Sequence, residues 1–228
     1  MKVNEDALDN PVWYALTDTH FNESIDYGHV KFYKTDYAPF GAFINYEDTA
    51  SAIQKHAQLI DDFFIVGNPP KMPPNFKAPI KYVGLQMIIY KSINHPITED
   101  IIELNKTHYN QLIDLINLVY PEYFKAKTNA LGRYYGIFKD NKLAAITGER
   151  LQTKNFIEIS AVITHPDYNR KGYAKQLITY TTNAIFNKNK IPFLHVDENN
   201  LGPIALYKKL GFTIRRKLEF WKISRLKN

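Results

Sequence analysis

The segment Glu158-Ile-Ser-Ala-Val-Ile-Thr-His-Pro-Asp-Tyr-Asn-Arg-Lys-Gly-Tyr-Ala-Lys-Gln-Leu177 predicts a strand, a turn and the start of a helix. Gly172 lets the backbone pass close to a bound group, and the unpaired N–H donors of the first helical turn attract negative charge. Three basic residues lie beside that turn: Arg170, Lys171 and Lys175. The segment therefore predicts an anion site, although a single Gly before a helix also occurs in ordinary strand–helix turns. It matches neither a Walker loop nor a dinucleotide fingerprint.

Strands and helices alternate on both sides of this segment, within residues 93–228. Strands are predicted at 100–104, 134–138, 143–148, 156–163, 192–196, 212–216 and 220–223. Helices are predicted to start at a Thr107 cap, after Gly172, and at Asn200 and Pro203, the last of them ending at Gly211. This order predicts an α/β (α+β) fold with a mixed central sheet and helices on both faces.

The first 92 residues form a different region. Five of the twelve prolines fall between positions 69 and 79, which predicts a loop. Strands are predicted at 30–33, 42–44, 63–66 and 82–90, with a helix capped by Asp48-Thr49 and a linker at 91–96. We therefore predict two domains, a small N-terminal α/β domain of unknown role over 1–92 and a second domain over 93–228.

Charge is distributed unevenly between these two parts. Residues 1–92 hold 8 Lys and no Arg against 11 acidic residues, a net charge of −3, whereas residues 93–228 carry +9 and all six arginines. Arginine binds phosphate bidentately, so the basic part suggests nucleic acid, an anionic membrane or a phosphorylated cofactor, or only a basic surface that aids solubility. The acidic part suggests either a cationic substrate or charge balance between the two parts.

The composition of the chain excludes several classes of protein and several kinds of site. The chain has 228 residues, 45% of them hydrophobic, and no apolar run near the roughly 18–20 residues that cross a bilayer. The N-terminus lacks the basic and apolar blocks of a signal peptide, so we expect a cytoplasmic protein without a membrane partner. It contains no cysteine, which excludes disulfides, thiolate nucleophiles and Cys-ligated metals. We expect no metal site.

Two ordered motifs resemble the GNAT superfamily of acyl-CoA-dependent N-acyltransferases. Asn169-Arg-Lys-Gly-Tyr-Ala174 matches the last two positions of the pyrophosphate loop Gln/Arg-x-x-Gly-x-Gly/Ala, with Asn169 in place of the first Gln or Arg. Downstream, 200–212 resembles Asn-x-x-Ala-x-x-Leu-Tyr-x-x-x-Gly-Phe, with Gly202-Pro203 near the usual Ala. The resemblance covers about residues 97–226. His-Pro-Asp-Tyr before the loop and His195-Val-Asp-Glu-Asn-Asn are most similar to a subgroup near the glycine N-acyltransferases, which also carry an extra N-terminal domain.

The resemblance implies acetyl-CoA as co-substrate and a set of residues that contact it. Backbone groups of Val162, Ile163 and Thr164 would pair with the pantetheine amides like an extra strand, and Asn200 would bond pantetheine. The pyrophosphate would lie on the loop residues Asn169, Arg170, Lys171, Gly172, Tyr173 and Ala174. Val162 and Ile163 are equally consistent with a plain buried strand.

The implied reaction is attack of an amine on a thioester, which requires a base and a proton donor. Glu158 stands where several members of the superfamily place a carboxylate that acts as the base, and the alternative is a structural carboxylate paired with Arg150 or Lys154. His195 is the second candidate for the base. Tyr207 aligns with the tyrosine that members place near the CoA sulfur, and it would protonate or orient the thiolate; the alternative is a core tyrosine.

The resemblance implies an N-acetyltransferase that acts by direct transfer on a primary amine, and the subgroup resemblance favours a small amine or amino acid. Absence of cysteine excludes an acyl-cysteine intermediate. One alternative is a non-catalytic acyl-CoA sensor on the same fold. The other is a nucleic-acid-binding module, but acidic residues interrupt the basic part and no nucleic-acid-binding motif accompanies it, so no nucleic-acid partner is expected. A monomer and a homodimer are both compatible with the sequence.

Overall fold

The computed structural model describes residues 3–121 and 124–225, and eleven strands in these ranges form one mixed sheet. The strands are β1 (Ser24–Asp26), β2 (Val30–Tyr33), β3 (Phe40–Phe43), β4 (Asp62–Val66), β5 (Ile80–Ile88), β6 (Ile101–Glu103), β7 (Tyr134–Lys139), β8 (Lys142–Gln152), β9 (Phe156–Thr164), β10 (Ile191–Asp197) and β11 (Thr213–Ser224). Their spatial order is β1-β2-β3-β4-β11-β5-β10-β9-β8-β7-β6. The predicted mixed sheet is confirmed.

Helices cover both faces of this sheet. They are α1 (Pro11–Thr17), α2 (Thr49–His56), α3 (Tyr109–Val119), α4 (Tyr173–Phe186) and α5 (Leu201–Lys209). Phe193 belongs to the core cluster of α1, whereas the next residue, Leu194, belongs to the cluster of α4 and α5. Successive strand residues point to opposite faces, so these helices lie on opposite sides of the sheet. None of the helices within the described residues is long and apolar enough to span a bilayer.

The sheet crosses the predicted boundary at residue 92. Strand β5 belongs to the first part of the chain, yet it lies between β10 and β11 of the second part and pairs antiparallel with both. Strand β4 also pairs with β11. The division into two domains therefore stays a prediction, while the sheet itself is continuous through both parts.

Most predicted elements match the structure to within one or two residues, and the hairpin turn shows why. Asp140 and Asn141 join β7 to β8 with φ of 50° and 61°. Asp and Asn tolerate this left-handed conformation better than other residues with side chains, so the pair forms a tight two-residue turn.

Three predictions about local structure need correction. Asn105, not Thr107, caps the turn before α3, because its side-chain oxygen accepts bonds from the Thr107 backbone N–H and hydroxyl. The strands predicted at 212–216 and 220–223 are one strand, β11, whose pairing with β5 is interrupted by a bulge between Ile214 and Arg216. Helix α1 and strand β1 were not predicted, since both are short, although Asn10 and Pro11 at the start of α1 are typical of a helix N-terminus.

His56 is buried on the first part of the sheet. Its ring stacks on Phe32 with centroids 3.9 Å apart and meets Phe63 edge-on at 4.9 Å. The Nδ1 atom has no hydrogen-bond partner among the described residues. Burial lowers the pKa of His56 to about 4, so the ring stays neutral in the folded protein at pH values where an exposed histidine is charged.

We expect stability to fall as the pH drops from about 6.5 toward 4, because the unfolded chain then binds a proton that folded His56 does not. In His56→Phe this contribution, up to about 3 kcal/mol, is removed, so the free energy of unfolding should change less between pH 7 and pH 5. Urea denaturation at pH 7 and at pH 5 measures this change in the free energy of unfolding. His29→Phe, at an exposed position, is the control. Equal pH dependence in His56→Phe and the unsubstituted protein would contradict the prediction.

Candidate functional site

Strands β9 and β10 separate at the centre of the sheet. They pair in parallel from Phe156 opposite Ile191 as far as Ile159 opposite Leu194, and no pairing between them continues within the described residues. On its other side, β9 carries one extra residue relative to β8 between Ser160 and Ile163, where Ala161 has a φ of 50°. Such a bulge bends the strand, and it leaves the β9 edge that faces β10 without strand partners.

A cavity of about 590 Å³ opens where the two strands separate. Five of the predicted candidate residues line it: Val162, Ile163, His195, Asn200 and Tyr207. Its wall also includes Ser160, Tyr120 and Asp197. The structure therefore brings together three of the four predicted pantetheine contacts and the predicted proton donor.

Tyr207 reaches this cavity from α5. The residue is 7% exposed and its ring meets Phe212 edge-on, with centroids 5.9 Å apart. Burial, with a smaller effect from Tyr120, raises the pKa of Tyr207 well above its usual value. None of the hydrogen bonds found among the described residues involves its hydroxyl. Tyr207 thus lines the cavity with its hydroxyl protonated at neutral pH.

Glu158 lies behind the cavity wall and is completely enclosed by donors. Arg150 donates to it through Nε and Nη2, both at 2.8 Å, and His195 donates through Nδ1 at 2.7 Å. The Leu151 backbone N–H completes the set at 3.3 Å. Burial alone would raise the pKa of Glu158, but the Arg150 charge and the hydrogen bonds from Arg150 and His195 hold it well below the usual range.

These contacts confirm the Arg150 pairing that the sequence left open for Glu158. An ionised carboxylate offers about four lone-pair positions, and four donors already fill them. Glu158 itself is not among the residues lining the cavity, although its partners Arg150 and His195 are. Its role as base stays a prediction, and the geometry favours a carboxylate that positions its neighbours.

A second set of bonds fixes His195 from the other side. Gln86 donates Nε2–H to His195 Nε2 at 3.1 Å and to the Leu8 carbonyl at 2.9 Å. The amide orientation is set by Arg215, whose Nη1 donates to Gln86 Oε1 at 3.0 Å. Both ring nitrogens of His195 are therefore used inside the protein, which leaves this residue no free nitrogen to act as the predicted second base.

The predicted anion site lies at the start of α4. Arg170 and Gly172 both have left-handed backbone, with φ of 61° and 79°. Helix α4 begins at Tyr173 without a side-chain cap, and its first intrahelical donor in the chain is Gln176 N–H, which bonds Gly172 O at 3.2 Å. The N–H groups at 173–175 thus remain for a ligand. The six predicted loop residues form this turn and the first two positions of α4, and the cavity wall includes none of them: Asn169, Arg170, Lys171, Gly172, Tyr173 and Ala174.

Thr164 lies at the end of β9, where it pairs with Ala145, and the cavity wall does not include it. Sequence reasoning missed Gln86 and Arg215, because no motif marks them and their partners are distant in the chain. Asp197 lies in the segment His195-Val-Asp-Glu-Asn-Asn, but nothing in that segment distinguishes it as a residue of the cavity. In the described residues there is no cluster of three or more His, Asp or Glu side chains able to hold a metal ion.

Comparison with known proteins gives the family context. Residues 134–221 match the model of the FR47-like protein family, which spans β7 to most of β11. No curated protein matches the sequence.

Solved structures match over almost the full length. A GNAT-family protein from Novosphingobium aromaticivorans is 27% identical, with a TM-score of 0.86 over 96% of this chain and 99% of that chain. A GCN5-related N-acetyltransferase-like protein from Streptococcus suis is 14% identical, with a TM-score of 0.64 over 96% and 94%. A GCN5-related N-acetyltransferase from Kribbella flavida is 11% identical, with a TM-score of 0.63 over 100% and 97%. The chain has the GNAT acetyltransferase fold, and the similarity supports an acyl-CoA-dependent N-acetyltransferase.

We expect Glu158→Gln to destabilise the protein by about 3–5 kcal/mol, because it removes the carboxylate charge that pairs with the buried Arg150 guanidinium. Glu219→Gln is the matched control: it removes a carboxylate from an exposed pair with Lys81 at 3.3 Å and should cost less than about 1 kcal/mol. Urea denaturation at pH 7 compares the two. Equal losses in both variants would show that Glu158 is not the buried structural charge described above.

Proposed function

We propose that the protein transfers an acetyl group from acetyl-CoA directly to a primary amine. The observation that supports this most strongly is the separation of β9 and β10 around a cavity lined by Tyr207. The open edge of β9 offers backbone donors and acceptors in the same cavity. A thioester bound along this edge would have its sulfur and carbonyl close to Tyr207.

The residues present fit the elongated, anionic shape of CoA. Val162, Ile163 and Thr164 supply the strand edge, and Asn200 lies across the cavity at the start of α5. At the end of that edge, the uncapped start of α4 supplies free N–H groups and a favourable dipole for the pyrophosphate. Gly172 adds no side chain there, and a Cβ at this position would meet no atom within 4 Å. Asn169 stands where the motif has Gln or Arg, and the Arg170 side chain would supply the phosphate contact that Asn169 makes less well.

Acetyl-CoA supplies an acyl carbon whose bond to sulfur breaks as the bond to the amine nitrogen forms. The Tyr207 hydroxyl donates its proton to the departing thiolate, and it regains a proton from the nitrogen as the amide forms. An arriving ammonium group has already lost one proton to solvent before attack. The overall exchange therefore yields the N-acetyl amide, CoA thiol and one proton.

The identity of the base is the part of the proposal that the structure refines. Glu158 is ionised but fully bonded, so we assign it to holding Arg150 and His195 in the cavity wall. Asp197 is the carboxylate that lines the cavity directly; it accepts one bond, from the Asn199 backbone N–H at 2.8 Å, and has no ion-pair partner within the described ranges. We propose that the Asp197 carboxylate attracts the ammonium group of the acceptor and transfers one proton from that group to water.

We also propose that the protein is related to the glycine N-acyltransferase subgroup, that its acceptor is a small amine or an amino acid, and that it is cytoplasmic. A non-catalytic acyl-CoA sensor is the alternative that activity measurements would separate from an enzyme.

We expect Tyr207→Phe to lower turnover roughly 100-fold while changing CoA affinity little, because it removes the proton donor but keeps the ring packed on Phe212. A CoA-release assay across a panel of amines and amino acids gives turnover, and calorimetry gives affinity. Tyr180→Phe removes a hydroxyl on α4 outside the cavity and serves as control. Unchanged turnover in Tyr207→Phe would remove only its role, whereas CoA binding without turnover on any acceptor would favour the sensor.

The proposed phosphate contacts predict that Gly172→Ala weakens CoA binding about 10-fold, because an alanine lets the free turn relax out of the left-handed backbone, which CoA binding then has to restore at a cost of roughly 1–2 kcal/mol. Gly202→Ala, in α5, is the control, since its backbone is helical and a Cβ has open space there. Isothermal calorimetry with CoA compares the variants. If neither the unsubstituted protein nor Gly202→Ala binds CoA, the proposed function is wrong.

A further inference from the structure

A second cavity, of about 230 Å³, is lined mainly by aromatic rings. We call it the aromatic cavity; its rings are those of Phe40, Phe64, Tyr82 and Phe220. Their centroids lie 5.8 Å apart for Phe40 and Phe64, 6.3 Å for Phe40 and Phe220, and 6.1 Å for Phe64 and Tyr82. The four residues come from β3, β4, β5 and β11, so three of these strands belong to the first part of the chain.

The aromatic cavity adjoins the cavity between β9 and β10. The two share four lining residues, Arg150, His195, Val196 and Asp197, and the His195 ring meets Phe220 edge-on at 5.7 Å. A molecule bound against the aromatic rings would therefore approach the Tyr207 cavity across β10, from the side opposite β9. This is the direction from which an acceptor could reach a thioester that lies along β9.

A glycine shapes this cavity. Gly84 lies on β5 opposite Leu218, and a Cβ there would come within 3.0 Å of the Phe220 ring. Because Gly84 has no Cβ, the Phe220 ring can lie over β5 and close one side of the cavity. The lining is therefore formed by close packing, although Tyr82 at its rim is 46% exposed and leaves an entrance.

The charges at the shared wall favour an amine at that end. Arg150 is neutralised by its bidentate contact with Glu158, and its guanidinium lies 4.9 Å from the centroid of the Phe40 ring. Asp197 has no cationic partner within the described part of the chain. An ammonium group would meet this carboxylate while aromatic faces, which also attract cations, surround the rest of the molecule.

We infer that the acceptor is a primary amine that carries an aryl group, with the ring in the aromatic cavity and the nitrogen directed past Asp197 to the Tyr207 cavity. This inference rests on the proposed function and names the acceptor class for it. An apolar cavity of roughly 150 Å³ is sufficient for benzene, so 230 Å³ admits one ring with a short methylene arm. The nitrogen would form the new C–N bond, with loss of the thiol as described above.

The test compares 2-phenylethylamine with ethylamine, spermidine and glycine in the CoA-release assay. We expect kcat/KM for 2-phenylethylamine to exceed that for ethylamine by roughly 10- to 100-fold, the effect of burying a phenyl group. Tyr82→Ala should lower this value about 3- to 10-fold and leave the ethylamine value unchanged. The matched control is Ile80→Ala on the same strand, 55% exposed and outside the aromatic cavity.

Several outcomes separate the possibilities. If 2-phenylethylamine is no better than ethylamine, or if spermidine or glycine is preferred, the aryl acceptor is wrong even though CoA binding and turnover persist. If Tyr82→Ala instead changes the preference between acetyl-CoA and butyryl-CoA, the aromatic cavity binds the acyl chain and the inference fails. Absence of CoA binding would overturn the proposed function itself.

Discussion

A buried carboxylate constrains the centre of this protein. Glu158 on β9 binds Arg150 on β8 and His195 on β10, so one ionised group joins three adjacent strands. It does so at the level where backbone pairing between β9 and β10 ends. An unpaired buried charge is strongly destabilising, so the four donors around Glu158 have to remain in place for the sheet to fold. Backbone pairing between β9 and β10 ends at Ile159 and Leu194, and the Glu158–His195 contact connects the two strands where they begin to separate.

The same network reaches the N-terminal residues of the structure. His195 contacts Gln86 on β5, Gln86 contacts Arg215 on β11, and Arg215 pairs with Glu5 at 2.6 Å. Each polar group is bonded on both sides, so the positions of the cavity wall and of the N-terminal segment depend on one another. This network holds β10 in place, and residues of β10 line both the cavity between β9 and β10 and the aromatic cavity.

Local sequence patterns predicted the second half of the fold well, and the reason is physical. Turn residues and helix ends depend on neighbours in the chain, so Asp140-Asn141, Gly172 and Gly211 mark their positions directly. The motif around α5 is local, and it led to Tyr207 and Asn200, which both line the cavity. For Glu158 the sequence offered the pairing with Arg150, eight residues away, but not the contact with His195, 37 residues away. The aromatic cavity depends on four strands and could not be read from any single segment.

The uneven charge of the chain has a structural explanation in ion pairs between its two parts. Arg215 pairs with Glu5 and Asp9, Arg216 also pairs with Asp9, and Lys222 pairs with Asp62. The acidic first part thus balances basic residues of β11, which favours charge balance over a cationic substrate as the reason for its net charge. The Arg216–Asp9 pair is exposed and adds little stability, whereas the Arg215 side chain is only 16% exposed. Arg170 and Lys171 have no acidic partner within residues 3–121 and 124–225, and positive charge therefore remains at the start of α4, where the proposed pyrophosphate site lies.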